Sequence, residues 1–129
     1  MQKKTKEMNN NWINIQLKDV FKLSNGKFLS SKELQQGEYP VYGGNGIVSY
    51  HDQYLFEEPK IVIGRVGAQC GCIHITKPKS WITDNALYIS KKIFQYEDKF
   101  MYYLLTKLNL NQYANQSAQP VISSDKIYS

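Results

Sequence analysis

The stretch Glu38-Tyr39-Pro40-Val41-Tyr42-Gly43-Gly44-Asn45-Gly46-Ile47-Val48, answered later by Lys60-Ile61-Val62-Ile63-Gly64-Arg65-Val66-Gly67, constrains this chain more than any other feature. Glycine tolerates positive φ and the close approach of another backbone, so Gly43, Gly44, Asn45 and Gly46 specify an exposed turn between two extended arms. Such a turn can present main-chain groups to a partner. It is not a nucleotide loop, because a Walker A sequence ends in Gly-Lys-Ser/Thr and no such ending follows.

Around this turn the pattern is β-like. Trp12 to Leu17 alternates apolar and polar groups, Val20 to Leu23 continues the run, and Ser24-Asn25-Gly26-Lys27 is a turn. Gly46 to Tyr50, Lys60 to Gly64, Cys70 to Thr76 and Ala86 to Ser90 are further expected strands. Ser30 and Glu33 have capping-box spacing and Gly37 sits where a helix C-terminus favours a left-handed residue, so a short helix is expected over Ser31 to Gln36. Phe100, Met101, Leu104, Leu105 and Leu108 recur at helical spacing, with Glu97 and Asp98 at the positive end of that helix; the stripe reads as a core face packed on the sheet. Met1 to Asn11 are polar and aperiodic and are expected to be a disordered lead-in, leaving residues 12–129 as a single domain. Strands followed by a helix imply an α+β class: a curved, mainly antiparallel β-sheet with a packed amphipathic helix and short accessory helices.

Composition narrows the function. The chain has 129 residues, 16 Lys and Arg against 11 Asp and Glu, and a formal charge of +5, an excess that favours a polyanionic partner or else a merely solvated basic surface. No apolar run reaches the roughly twenty residues of a membrane span, and the N-terminus lacks a signal-peptide core. Cys70 and Cys72 are too close and too few for a disulfide framework, so the chain reads as cytoplasmic.

Two constellations mimic catalytic sites. Cys70, Cys72 and His74 alternate on one expected strand and would share a face, but zinc usually takes four ligands and free cysteine behaves as a small hydrophobe; core packing is the better reading, and neither metal nor cofactor is expected. Asp52, Glu58 and Lys60 resemble the acidic-x-Lys arrangement of magnesium-dependent nucleases. Pro59 between acid and base, and the lack of a second acid on an adjoining strand, favour a charged turn.

Five pieces in order carry a resemblance: Gly37 to Ile47, the strand Ile61 to Gly67, the segment Trp81 to Ala86 reading W-x-T-D-N-A, the helix Lys99 to Leu108, and Ala118-Gln119-Pro120. Together they resemble the target recognition domain of the specificity subunit of type I restriction-modification enzymes. The resemblance implies sequence-specific binding of double-stranded DNA, with a half-site read in the major groove. It also implies adenine methyltransferase subunits that modify the DNA and a separate motor-nuclease (restriction) subunit that cleaves it. The chain itself, which has neither Asn-Pro-Pro-Tyr nor Asp-Pro-Pro-Tyr, would catalyse nothing. Family members pair two such domains through long helices. This sequence stops at Lys126-Ile127-Tyr128-Ser129, about where such a helix would be approached, and the expectation is either an excised or truncated domain or a free-standing half.

Candidate DNA contacts follow from residue chemistry. Arg65, between Gly64 and Gly67, can pair in bidentate fashion with guanine or a phosphate, the competing reading being an intradomain salt bridge. Tyr42, Asn45 and Tyr50 border the glycine turn and can stack or hydrogen-bond in a groove, Asn45 doubling as a turn-former. Asn115, Gln116, Ser117 and Gln119 form a polar cluster whose amides can read adenine or simply be solvated. Lys27, Lys32, Lys77 and Lys79 are phosphate candidates. The rival to DNA recognition is a protein-interaction module, or decoy, that docks on methyltransferase subunits.

Overall fold

A computed structural model describes residues 2–6, 12–67, 70–114 and 123–128. In chain order the elements are β1 (Gln2–Lys6), β2 (Trp12–Gln16), β3 (Phe21–Asn25), β4 (Tyr39–Gly43), β5 (Gly46–His51), β6 (Ile61–Gly64), β7 (Ile73–Ile75), β8 (Trp81–Ile82), β9 (Ala86–Lys92), α1 (Asp98–Lys107) and α2 (Ser124–Tyr128), with single 3-10 turns at Leu17–Asp19 and Leu110–Tyr113. They form an α+β fold built from a four-stranded sheet in the order β3-β9-β6-β7, a three-stranded sheet β5-β4-β8 and a β1-β2 ribbon. All pairings are antiparallel except β4 with β8.

The four-stranded sheet is covered on both sides, and the two-residue period of its strands sorts the side chains accordingly. Ile61 and Ile63 on β6, and Leu87 and Ile89 on β9, join Phe21, Met101, Leu105, Leu110 and Ile127 in the main core. Val62 on β6 and Ala86 on β9 face the other way and meet Ile82 of β8, with Phe56 and Tyr88 alongside. Every residue of β6 is therefore buried. At about 25 cal/mol per Å² of apolar surface, sandwiching this strand between a helix and a second sheet makes it an anchor of the fold.

Helix α1 buries Met101 and Leu105, four residues apart on one face, while Leu104 and Leu108 are half-buried beside them. Phe100, expected in that stripe, is exposed; it stands one residue, about 100°, round from Met101. Asp98 in the first helical turn pairs with Lys92 at 2.9 Å.

Three further expectations are corrected. Gln2–Lys6, read as lead-in, pairs with β2 with Gln2 opposite Gln16 and Lys6 opposite Trp12, whereas Met1 and residues 7–11 lie outside the described residues. A strand of polar side chains shows no hydrophobic period, and it joins its partner through the backbone. The capping box at Ser30 forms, with the Glu33 amide 3.2 Å from Ser30 Oγ and that hydroxyl 3.0 Å from Glu33 Oε1, yet only a turn follows. One turn cannot repay helix nucleation, and Gly37 is needed for another purpose: a Cβ there would collide with the backbone of His51 and Asp52. Finally, the strand expected over Cys70 to Thr76 is shortened to β7, because Gly71 turns the chain at φ 90°.

Candidate nucleic-acid interface

At one end of both sheets three loops meet. The first is the two-residue connection Gly44-Asn45 between β4 and β5, where Gly43 is opposite Gly46 and Gly46, the residue just after the turn, takes φ 113°, a conformation that favours glycine. The second is the end of β6, and the third is Thr83-Asp84-Asn85 between β8 and β9. A Cβ on Gly64 would strike the Gly44 carbonyl, and one on Gly44 would lie 2.9 Å from the Asn85 carbonyl. Only glycine at both positions lets the hairpin and β6 touch backbone to backbone.

Hydrogen bonds fasten these loops together. The Thr83 amide donates to the Tyr42 carbonyl at 2.9 Å, and the Arg65 amide donates to the Asn85 carbonyl at 3.1 Å. From its side chain Arg65 donates Nη1–H to the Asp84 carbonyl at 2.9 Å. Beneath the hairpin the Cys72 thiol donates to the Gly44 carbonyl at 3.0 Å; burial pushes its pKa up and so retains the proton this bond uses. His74 lies next to it, Nε2 3.6 Å from Cys72 Sγ, and burial pushes its pKa down. On the other flank the Lys27 amide donates to the Ile82 carbonyl at 2.8 Å, while the Lys27 carbonyl accepts the Trp81 indole N–H at 2.9 Å.

The residues singled out from sequence are not all brought together. Lys27, Asn45 and Arg65 share this loop end, with Lys27 and Asn45 exposed and Arg65 half-buried. Arg65 makes its intradomain contact with a carbonyl rather than a carboxylate. Lys32 is exposed on the Ser30 turn, and Tyr50 is exposed on β5. Lys77 and Lys79 are exposed in the connection that enters β8, at the opposite end of that strand from the hairpin tip. Tyr42 is a correction: it is only 5% exposed, packs in the interior and accepts the Lys77 amide on its hydroxyl at 3.0 Å, so its ring is not open to a base. Asn115, Gln116, Ser117 and Gln119 lie outside the described residues. Among the described residues no group of three or more His, Cys, Asp or Glu is placed to hold a metal ion, and no helix is long and apolar enough to cross a membrane.

The family model described as "Type I restriction modification DNA specificity domain" matches residues 9–129. The chain belongs to this family. It is 32% identical over 116 residues to the type I restriction enzyme EcoprrI specificity subunit of Escherichia coli, a match covering 86% of this chain and 29% of that protein. Its fold superimposes on the crystal structure of a type I restriction-modification system S subunit from M. genitalium with a TM-score of 0.79 at 18% identity, covering 95% of this chain and 34% of that one. The chain thus spans about a third of the length of each specificity subunit it matches.

In this specificity domain the W-x-T-D-N-A segment is a scaffold: its indole, its Thr83 amide and its Asp84 and Asn85 carbonyls hold Lys27, β4 and Arg65 in place. Sequence reasoning missed two residues at the same face. Val41 is opposite Ser49 but Tyr42 is opposite Ile47, so Val48 is the extra residue of a β-bulge, and both Ile47 and Val48 are exposed. Phe28, directly after Lys27, is 64% exposed. An aromatic directly after the Ser24-Asn25-Gly26-Lys27 turn was the available signal for Phe28, whereas Val48 reads as an ordinary strand residue and gives none.

Proposed function

We propose that this domain recognises a DNA half-site, placing the β4–β5 hairpin and its flanking loops in the major groove. Lys27 and Lys32 take phosphates, while Asn45 and Arg65 approach base edges. Methylation and cleavage belong to other subunits of the restriction-modification assembly, and the domain does no chemistry of its own. The observation that supports this most is the convergence of the hairpin, Arg65 and the W-x-T-D-N-A loop at one end of the fold in a member of a DNA specificity family.

Titration of labelled duplexes at several salt concentrations tests the reading. Non-specific affinity should be roughly 10⁻⁴ to 10⁻⁶ M and should fall steeply with salt. Rounds of selection from a randomised duplex library should enrich one short motif. A flat salt response with no complex and no enriched motif refutes the proposal.

A protein-docking reading has one observation in its favour, the exposure of Ile93, Phe94, Phe100 and Tyr103 on and before α1. Replacing Lys27 and Arg65 by alanine separates the two. Loss of DNA binding with methyltransferase association intact assigns the loops to DNA; loss of neither assigns recognition elsewhere.

A further inference from the structure

The face of the β4–β5 hairpin has Lys27 and Arg65 close by but is not polar throughout. A concavity of about 400 Å³ opens beside the turn, walled by Phe28, Val48 and Val66 and edged by Asn45, Asp84 and Asn85. Phe28 and Val48 are each 64% exposed, and water gains nothing by meeting them. Val48 is directed there by the bulge: in unbroken alternation with exposed Ile47 it would turn to the opposite face of the sheet, whereas here it stands over Gly43, whose missing side chain leaves room for it.

A phosphate would not use such a pocket, since its apolar wall offers no donor and Asp84 lines the other side. In the major groove only thymine presents an apolar group, its 5-methyl, and the paired adenine offers the N6 amino donor and N7 acceptor that an Asn amide matches. A G·C pair has no apolar group for the wall. From this combination we infer that the Phe28–Val48 pocket reads an A·T pair by enclosing the thymine methyl, with Asn45 or Asn85 on the polar edge of the same pair. The inference rests on the DNA reading above and adds to it the base recognised and the side chains responsible. Lys27, adjacent to Phe28 and fixed through both backbone groups, supplies the charge that brings the duplex to this wall.

The test uses the full chain and a duplex enriched from a randomised library. Each thymine in turn is replaced by uracil, which removes the methyl and nothing else. At one position the replacement should weaken binding about four-fold, the equivalent of ~0.8 kcal/mol for one buried methyl-sized group. Phe28→Ala and Val48→Ala should each bind the thymine duplex more weakly and lose most of that uracil sensitivity. Both side chains face solvent, so neither variant should change the urea midpoint, which is measured alongside. Sequence-selective binding without any uracil-sensitive thymine overturns the pocket assignment and leaves the DNA reading standing. Sensitivity that persists undiminished in both variants does the same. Failure to enrich any motif refutes both.

Discussion

The Gly64 Cα faces the Gly44 carbonyl with no room between them for a side chain, so the last residue of a fully buried strand is seated on the tip of a hairpin from another sheet. Gly64→Ala should therefore destabilise the domain by about 2 kcal/mol, as overpacking does, and move the hairpin as it relaxes. Gly67→Ala is the control: at φ 88° with nothing within 4 Å of its Cβ it should cost only about 1 kcal/mol of backbone strain. Urea midpoints of the two variants check the order, and equal losses would contradict the packing argument.

Trp81→Phe keeps a ring beside His51 but removes the donor to the Lys27 carbonyl. A loss of about 1 kcal/mol in stability is expected for that hydrogen bond. Because the bond positions the segment that carries Lys27 and Phe28, DNA affinity should drop as well, under conditions where the variant is fully folded. Circular dichroism with parallel gel shifts measures both.

Salt dependence should map the phosphate contacts. Lys27→Ala is expected to reduce the slope of log affinity against log salt by ~0.9, the contribution of one neutralised phosphate. Lys91 lies near the end of β9, while the hairpin-facing loops precede that strand, and Lys91→Ala should leave the slope unchanged. If the two substitutions have equal effect, the duplex does not lie against the hairpin end.

His74 gives the domain an acid sensitivity. Burial lowers its pKa below 6.5, so the unfolded chain takes up a proton before the folded one does. The stability this group contributes is present above 6.5 and lost as pH falls through the depressed folded value. His74→Gln should flatten the decline in urea midpoint between about pH 7 and pH 5. A decline as steep as that of the unaltered protein would remove His74 as its source.

Much of the architecture was readable from local pattern. Alternation located β2, β-like runs between Gly, Pro, Asp and Ser punctuation located β5, β6 and β9, helical spacing located α1, and the Gly-Gly-Asn-Gly run marked a hairpin. What escaped were features set by the opposing surface. Gly37 was read as a helix cap although its constraint comes from His51 and Asp52 across a turn. Tyr42 was read as a groove contact although the Lys77 amide draws its hydroxyl inward. The bulge at Val48 arises from a mismatch in register with β4, which no property of the valine announces. Arg65, expected from its glycine neighbours to project freely, is half-buried and donates one guanidinium N–H to the Asp84 carbonyl, a partner supplied by a loop distant in sequence.

The extra residue in β5 also bears on how such a domain could diversify. Val48 belongs to an outer strand, pointing away from the layer that holds the fold together. A change at this position, or a shift of the irregularity by one step along the strand, would swap the group offered outward at little cost to the interior. New preferences could then accumulate there without first destroying the scaffold that displays them.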